Sequence, residues 1–314
     1  MPYQLKKKVY NASINTVELG TGDKAVKIGG NNTLPFYSFD APAENKQKIG
    51  VEISDLALET YTQKGLADFY AGCDSIEAMA VKAQELPGVS MIVLHFEGAD
   101  PNGRNRSVEE CVATAKAVAE KVTMPIVVMG CKNVEKDAEL FAKISEALAG
   151  KNILVLSARQ ENYKTVGASA ALAYNQKVGA ESADDINLAK QLNTVMTQLG
   201  IPAGSIVMQP GCAAAGYGFE YVISTLDRIK AAALGASDTQ LQMPIITPIS
   251  TETWGVKEST LPESEDPEWG DAEERGIQME ITTAAACLAS GSDAVIMRHP
   301  AAIAAISQMI DELA

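Results

Sequence analysis

Val89-Ser-Met-Ile-Val-Leu-His95, Glu97-Gly-Ala-Asp-Pro-Asn-Gly103, Ser107-Val-Glu-Glu110 and Pro125-Ile-Val-Val-Met129 follow one another in a single stretch of the chain. The first is a nearly continuous apolar run, the pattern of a strand buried on both faces of a parallel sheet. The second holds glycines, a proline and Asx residues, which favour turns. The third is a capping box, in which a serine and a glutamate three residues on satisfy free N–H groups at a helix start. Val108, Cys111, Val112, Ala115, Val118 and Ala119 then recur near helical spacing, Thr123 to Pro125 ends that run, and the fourth segment is another buried strand.

Working outward, the same unit recurs eight times. Strands are predicted at 48–54, 89–95, 125–129, 152–157, 178–181, 205–208, 244–248 and 293–297. Helices are predicted near 75–85, 107–122, 134–149, 163–176, 184–199 and 220–233, with one closing the chain. Ser182-Ala-Asp-Asp185 reads as a second capping box. Eight alternating strands and helices argue for a single (β/α)8 TIM barrel rather than an open doubly wound sheet. Before it, residues 8–30 alternate apolar and polar on both sides of Gly20-Thr-Gly22-Asp23, with Val9, Val17 and Leu19 on one side and Val26 and Ile28 on the other. This predicts a β-hairpin. The chain therefore divides into an N-terminal hairpin and connection, 1–47, and a barrel, 48–314.

Composition narrows the function. Forty acidic against 26 basic residues give a net charge of −14, which opposes binding to nucleic acid or to an anionic membrane. No apolar segment follows Lys6-Lys-Lys8 and none is long enough to span a bilayer, so a cytoplasmic protein is expected. Five dispersed cysteines, Cys73, Cys111, Cys131, Cys212 and Cys287, are odd in number and never spaced Cys-x-x-Cys, so free thiols are expected rather than disulfides or a cluster site.

In such barrels chemistry sits at the C-terminal ends of the strands. The polar residues there are Asp55; His95, Glu97 and Asp100; Cys131 and Asn133; Arg159, Glu161 and Asn162; Glu181 and Asp185; Gln209; Thr247 and Ser250; and Arg298 and His299. His95 and Glu97, two residues apart on a strand, share a face as metal ligands would, but a third ligand is missing and a structural role is the stronger reading. Lys132 and Lys164 lie outside strand interiors, which argues against a Schiff-base lysine. The turn Gly211 to Gly218 permits close approach of a phosphate, a flat ligand or another chain, and equally a tight turn with no ligand. The segment 249–271 carries Trp254 and Trp269 with several acidic residues, and reads as a lid or docking surface against the plainer alternative of a solvated insertion.

The strand-end motifs add up to a family. Glu97-Gly-Ala-Asp-Pro101, Gly130-Cys-x-x-Val-Glu-Lys-Asp137, Glu161-Asn-Tyr-Lys164, Asp185-x-Asn187 with Lys190-Gln-Leu-Asn193, Gly216-Tyr-Gly-x-Glu-Tyr221, Glu274-Arg-Gly276 and Met297-Arg-His-Pro300 occur in order from about Gly30 to the end. They resemble those of the small subunit of the corrinoid iron–sulfur protein, the delta subunit of the acetyl-CoA decarbonylase/synthase complex. The resemblance implies a barrel subunit paired with a large subunit that carries a [4Fe–4S] cluster and mainly holds the corrinoid (cobalamin). It implies that the pair takes a methyl group from methyltetrahydrofolate through a separate methyltransferase and delivers it to acetyl-CoA synthase in the reductive acetyl-CoA pathway. On this reading the chain has no catalytic residue and no iron–sulfur cluster of its own, and its strand-end face covers the corrinoid. Gly211, Gly216 and Gly218 would let backbone approach the flat ring and Tyr217 would offer an amphipathic edge. Asp185, Asn187, Arg298 and His299 would bond its peripheral amides or else tie loops together.

Neither histidine has an aspartate two residues before it, so no Asp-x-His-x-x-Gly corrinoid-ligating sequence exists here. The rival reading is a pterin-binding methyltransferase acting on methyltetrahydrofolate, a barrel enzyme that would hold the pterin with groups such as Asp100, Asn133, Asn162 and Asp185. Gln209-Pro210 stands where such enzymes commonly carry Asp-Pro, which weakens it.

Overall fold

Each apolar run becomes a strand. In the computed structural model, which describes residues 6–314, a hairpin of β1 (Val17–Leu19) and β2 (Val26–Ile28) precedes β3 (Lys48–Ser54), β4 (Val89–His95), β5 (Ile126–Met129) and β6 (Leu154–Ala158). There follow β7 (Lys177–Glu181), β8 (Ile206–Gln209), β9 (Ile246–Pro248) and β10 (Ala294–Met297). The eight later strands are all parallel, in the order β8-β7-β6-β5-β4-β3-β10-β9. Met208 bridges to Ile245 and its N–H donates to the Pro244 carbonyl at 2.7 Å, which closes the sheet into a barrel.

Alternation along the strands sorts two cores. Ile49, Val51 and Ile53 of β3 face the surrounding helices, together with Ile92 and Leu94 of β4 and Val128 of β5. Met91, Val93, Val127, Met129, Leu154, Leu156, Val207, Ile246 and Ile296 fill the barrel's inside. Val17, Leu19 and Ile28 of the hairpin belong to that inner core and are at most 1% exposed, so the hairpin plugs the N-terminal end. Burying each such side chain is worth about 1.5–3 kcal/mol. Asn152 latches the plug: its amide donates to the carbonyls of Glu18 at 2.9 Å and Gly20 at 3.0 Å, and its own carbonyl accepts the Gly20 N–H at 2.9 Å. Gly20 has φ +77°, and a Cβ there would sit 2.7 Å from the Pro125 ring. With this end closed, a ligand can enter the barrel only at the C-terminal end.

Four local readings are corrected. Val9 lies outside the paired strands and is exposed. Ser182 does not cap a helix: Ala183 and Asp184 take left-handed φ values of 44° and 61°, so the helix starts at Ile186 with Asp185 as its cap. The helix predicted over 163–176 is α-helical only for Tyr163–Val166 and continues as a wider π-helical stretch, Gly167–Ala173. The segment 249–271, where no helix is predicted, contains the short helices Ile249–Thr253 and Lys257–Thr260 before the long helix Ala272–Ser290. The capping box at Ser107 forms as expected, with both of its hydrogen bonds present.

Candidate functional site at the barrel mouth

Above the apolar plug the inside of the barrel turns polar. Glu52, fully buried on β3, accepts from Arg298 after β10 at 3.1 and 3.2 Å, and lies 2.7 Å from Nδ1 of His95 at the end of β4. Burial alone would raise the Glu52 pKa, but the Arg298 guanidinium and His95 more than reverse this and hold the carboxyl well below the usual range. Burial would likewise lower His95, and the Glu52 carboxylate outweighs it, so His95 titrates above its ordinary value. Tyr61 completes the group: its hydroxyl donates to the Glu52 carbonyl at 3.0 Å and its ring lies under the Arg298 guanidinium, 5.1 Å from the centroid.

A second buried carboxylate supports the same strand end from outside. Glu280, in the helix Ala272–Ser290, accepts from the backbone N–H groups of Arg298 at 2.6 Å and His299 at 3.1 Å and from the Trp254 indole at 3.1 Å. Its burial pushes the pKa up to about 7 despite these donors. Neither Glu52 nor Glu280 stands among the strand-end candidates read from sequence. The signal for Glu52 was an acidic residue inside an otherwise apolar strand, and Glu280 had none, because its partners are contributed by distant segments.

The remaining predicted residues divide by position. His299 caps the final helix through Nδ1, which accepts the Ala301 N–H at 3.2 Å, while Nε2 meets Glu273 at 2.9 Å and the ring stacks on Trp254. Only 3% exposed, it is engaged in tying loops together. Asp185 is exposed and accepts from the N–H groups of Asn187 at 2.8 Å and Leu188 at 3.2 Å. Asn187 is exposed in the first turn of the helix that Asp185 caps. Asn133 is a helix cap, accepting from the Lys136 N–H at 3.0 Å, and Asn162 bridges Arg159 and Val134. The pair His95 and Glu97 does not converge on a metal position, since His95 is engaged by Glu52 and Glu97 accepts from the Ser54 hydroxyl. Among the described residues, no three His, Cys, Asp or Glu side chains are placed to hold a metal ion. Burial pushes the Cys131 thiol up to about 12, so it is no ready nucleophile.

The glycine-rich turn after β8 forms part of the rim. Gly211, Gly216 and Gly218 have φ of +101°, +94° and +76°, conformations that favour glycine and serve a tight turn as well as a close approach, and a Cβ at Gly216 would meet no atom within 4 Å. Tyr217 is 47% and Tyr221 68% exposed beside it, and the Tyr217 hydroxyl donates to Glu258. Trp254 is buried at 6% exposure, which removes it from any docking surface, whereas Trp269 is 38% exposed.

Two adjoining hollows open at the mouth. One, of about 210 Å³, lies over β5 to β8 and is lined by Ser157, Arg159, Glu181, Asp184, Gln209 and Gly211 among others. The other, of about 520 Å³, lies over β3, β4 and β10 and is lined by Glu97, Asp100, Trp254 and Arg298 among others. His95, Lys132 and Thr251 border both.

Comparison with known proteins places most of the chain. Among solved structures, dihydropteroate synthases share the barrel: the Xanthomonas albilineans enzyme with 4-aminobenzoic acid has a TM-score of 0.57 at 14% identity, covering 95% of this chain and 98% of its own. The Vibrio fischeri enzyme has a TM-score of 0.58 at 12% identity, covering 94% and 97%. At such identities the likeness is one of fold. Sequence relatives are closer. Subunit delta 1 of the acetyl-CoA decarbonylase/synthase complex of Methanosarcina thermophila is 33% identical over 94% of this chain and 67% of its own length. The delta subunit of Methanothermobacter thermautotrophicus is 30% identical over 94% and 74%, and that of Archaeoglobus fulgidus 32% over 94% and 65%. The family model described as the CO dehydrogenase/acetyl-CoA synthase delta subunit matches residues 16–309. The chain belongs to the CO dehydrogenase/acetyl-CoA synthase delta subunit family.

Proposed function

We propose that this chain is the barrel subunit of a methyl-carrying pair and that its mouth covers a corrinoid held mainly by a larger partner subunit. The observation that carries this reading is the chemistry of the mouth. Its central charges are spent on one another, Glu52 with Arg298 and His95, and Arg159 with Glu181 at 2.9 Å. Its rim, by contrast, offers backbone with open space at Gly216 and exposed tyrosine faces. A surface of paired charges and accessible backbone suits covering a large flat group better than attacking one.

The residues present fit such a group. Buried polar atoms of Ser157, Asp184 and Gln209 that border the smaller hollow have no partner within the chain, so the mouth has hydrogen-bonding capacity to spare. Gly211, Gly216, Tyr217 and Gly218 would lie against the ring, with Asp185 and Asn187 at the start of the neighbouring helix. Arg298 would present its edge to the larger hollow while held by Glu52, and His299 would support it from behind. When bound, the corrinoid supplies the capacity to accept and release a methyl group. This chain's own part is to exclude water and oxidant and to yield to two exchange partners, a methyltetrahydrofolate methyltransferase and acetyl-CoA synthase, which calls for a movable contact.

Co-expression with the corrinoid-bearing subunit tests this. A 1:1 complex in sedimentation, whose cobalt spectrum or reoxidation rate changes when Gly216 is replaced by Trp, is expected. Separate sedimentation, or an intact complex whose cobalt ignores the substitution, refutes it. The rival reading, a free-standing pterin enzyme, predicts saturable micromolar binding of methyltetrahydrofolate by the lone chain in calorimetry.

A further inference from the structure

Three polar side-chain atoms converge on the 210 Å³ hollow with no hydrogen-bond partner: Ser157 Oγ, Asp184 Oδ1 and Gln209 Oε1. Ser157 and Gln209 are 6% and 8% exposed. A buried polar group without a partner is costly, and native chains rarely keep several in one place unless something fills the space between them. The backbone supports the same conclusion. Asp184 is the second of two consecutive non-glycine residues in the left-handed region, and it is held there by its carbonyl, which accepts the Thr225 hydroxyl at 2.9 Å. Strain of this kind persists where surrounding structure fixes it, most often at binding sites. Gly211 leaves room for the side chain, since a Cβ there would stand 3.0 Å from Asp184 Oδ1.

The donor set selects the ligand. Gln209 Oε1 and Asp184 Oδ1 are acceptors awaiting N–H groups, and the Ser157 hydroxyl can donate to a carbonyl. Around them Lys132 and Arg159 are matched by Glu252 at 3.2 Å and Glu181 at 2.9 Å, while Asp137, which accepts from the Cys131 N–H at 2.7 Å, and Asp184 add two further carboxyls that form no salt bridge. An anionic ligand is therefore disfavoured. We infer that the hollow is a receptor for an uncharged planar amide, whose N–H groups bond Gln209 and Asp184 and whose carbonyl accepts from Ser157. At about 210 Å³ the hollow is smaller than the roughly 300–1,000 Å³ of pockets that hold a whole drug-sized ligand, so it suits such a group and not a whole macrocycle. Resting on the covering role proposed above, the first source of this chemistry is a carboxamide arm of the corrin periphery. The second is the amino-amide edge of a free pterin.

Calorimetry on the purified chain separates the two, using dicyanocobinamide, the corresponding corrin heptacarboxylate and tetrahydrofolate as probes, with Ser157→Ala and Gln209→Met as variants. Both variants remove a buried unpartnered atom, so their thermal unfolding is expected not to fall, which keeps the binding readout interpretable. The amide-bearing corrin is expected to bind, and the carboxylate form and both variants to bind about tenfold more weakly. Binding of tetrahydrofolate that is lost in both variants would assign the amide chemistry to a free heterocycle instead. No binding of either probe, or equal affinity in the wild type and both variants, overturns the inference. In the 1:1 complex, a cobalt spectrum that the wild-type chain and Gln209→Met perturb equally would refute the corrin arm as the occupant of the hollow and leave the covering role standing. A spectrum that neither perturbs would refute the covering role, while the tetrahydrofolate titration still decides the hollow.

Discussion

Glu280→Gln is expected to make stability less dependent on pH between about 5 and 8. The wild-type carboxyl is buried against Trp254, Arg298 and His299, with Glu273 beyond the His299 ring. It titrates at about 7 in the folded chain against an ordinary 4.5. Between those values the folded state keeps a proton that the unfolded state has released, so stability falls as pH rises. The contribution is fully present below 4.5 and lost as pH passes 7. At 1.36 kcal/mol per pKa unit the whole effect is about 3 kcal/mol, of which roughly 2.5 falls between pH 5 and 8. His95, raised by Glu52, slopes the same way but is common to both proteins and cancels in the comparison. Urea unfolding of both proteins at the two pH values gives the result directly. The difference in stability between wild type and Glu280→Gln is expected to change by about 2–3 kcal/mol, moving in favour of Gln as pH rises. A difference constant to within about 0.5 kcal/mol would show that Glu280 does not titrate in this window and refute the reasoning.

Three further substitutions test the packing. Lys230→Met leaves Asp293 buried without its ion-pair partner, now 2.7 Å away, and should cost about 3–5 kcal/mol in urea unfolding. Gly276→Ala places a methyl in space that the Trp254 ring already fills, so a loss of about 1–3 kcal/mol with altered tryptophan fluorescence is expected. Ser107→Ala removes one half of the capping box and should cost about 1 kcal/mol, measurable as a lower urea midpoint with unchanged slope.

How much was legible in the sequence follows from which contacts are local. The strands could be read because a parallel barrel buries both faces of each, which writes apolar runs such as Val89–His95 directly into the chain. The Ser107 capping box was legible for the same reason, since its partners lie three residues apart. Ser182-Ala-Asp-Asp185 shows the limit. The same pattern is present, but the turn that sets Asp184 against the loop after β8 draws Ala183 and Asp184 out of helical geometry. The rim turn could be read because Gly211, Gly216 and Gly218 report their own backbone. The buried charge network could not: Glu52 meets His95 across 43 residues and Arg298 across 246. The same holds for Trp254, which sequence suggested as a docking residue and whose burial depends on the space left by Gly276.

Amide hydrogen exchange on the chain, alone and in complex with the corrinoid-bearing subunit, tests the covering role most directly. Slowed exchange is predicted in the rim, at residues 211–218 and 249–260, to a greater degree when the partner carries its corrinoid than when it is stripped. The hairpin of β1 and β2 at the opposite end should exchange as in the free chain. Protection confined to that hairpin or to the outer helices, or protection of the rim that is indifferent to the corrinoid, would contradict the account.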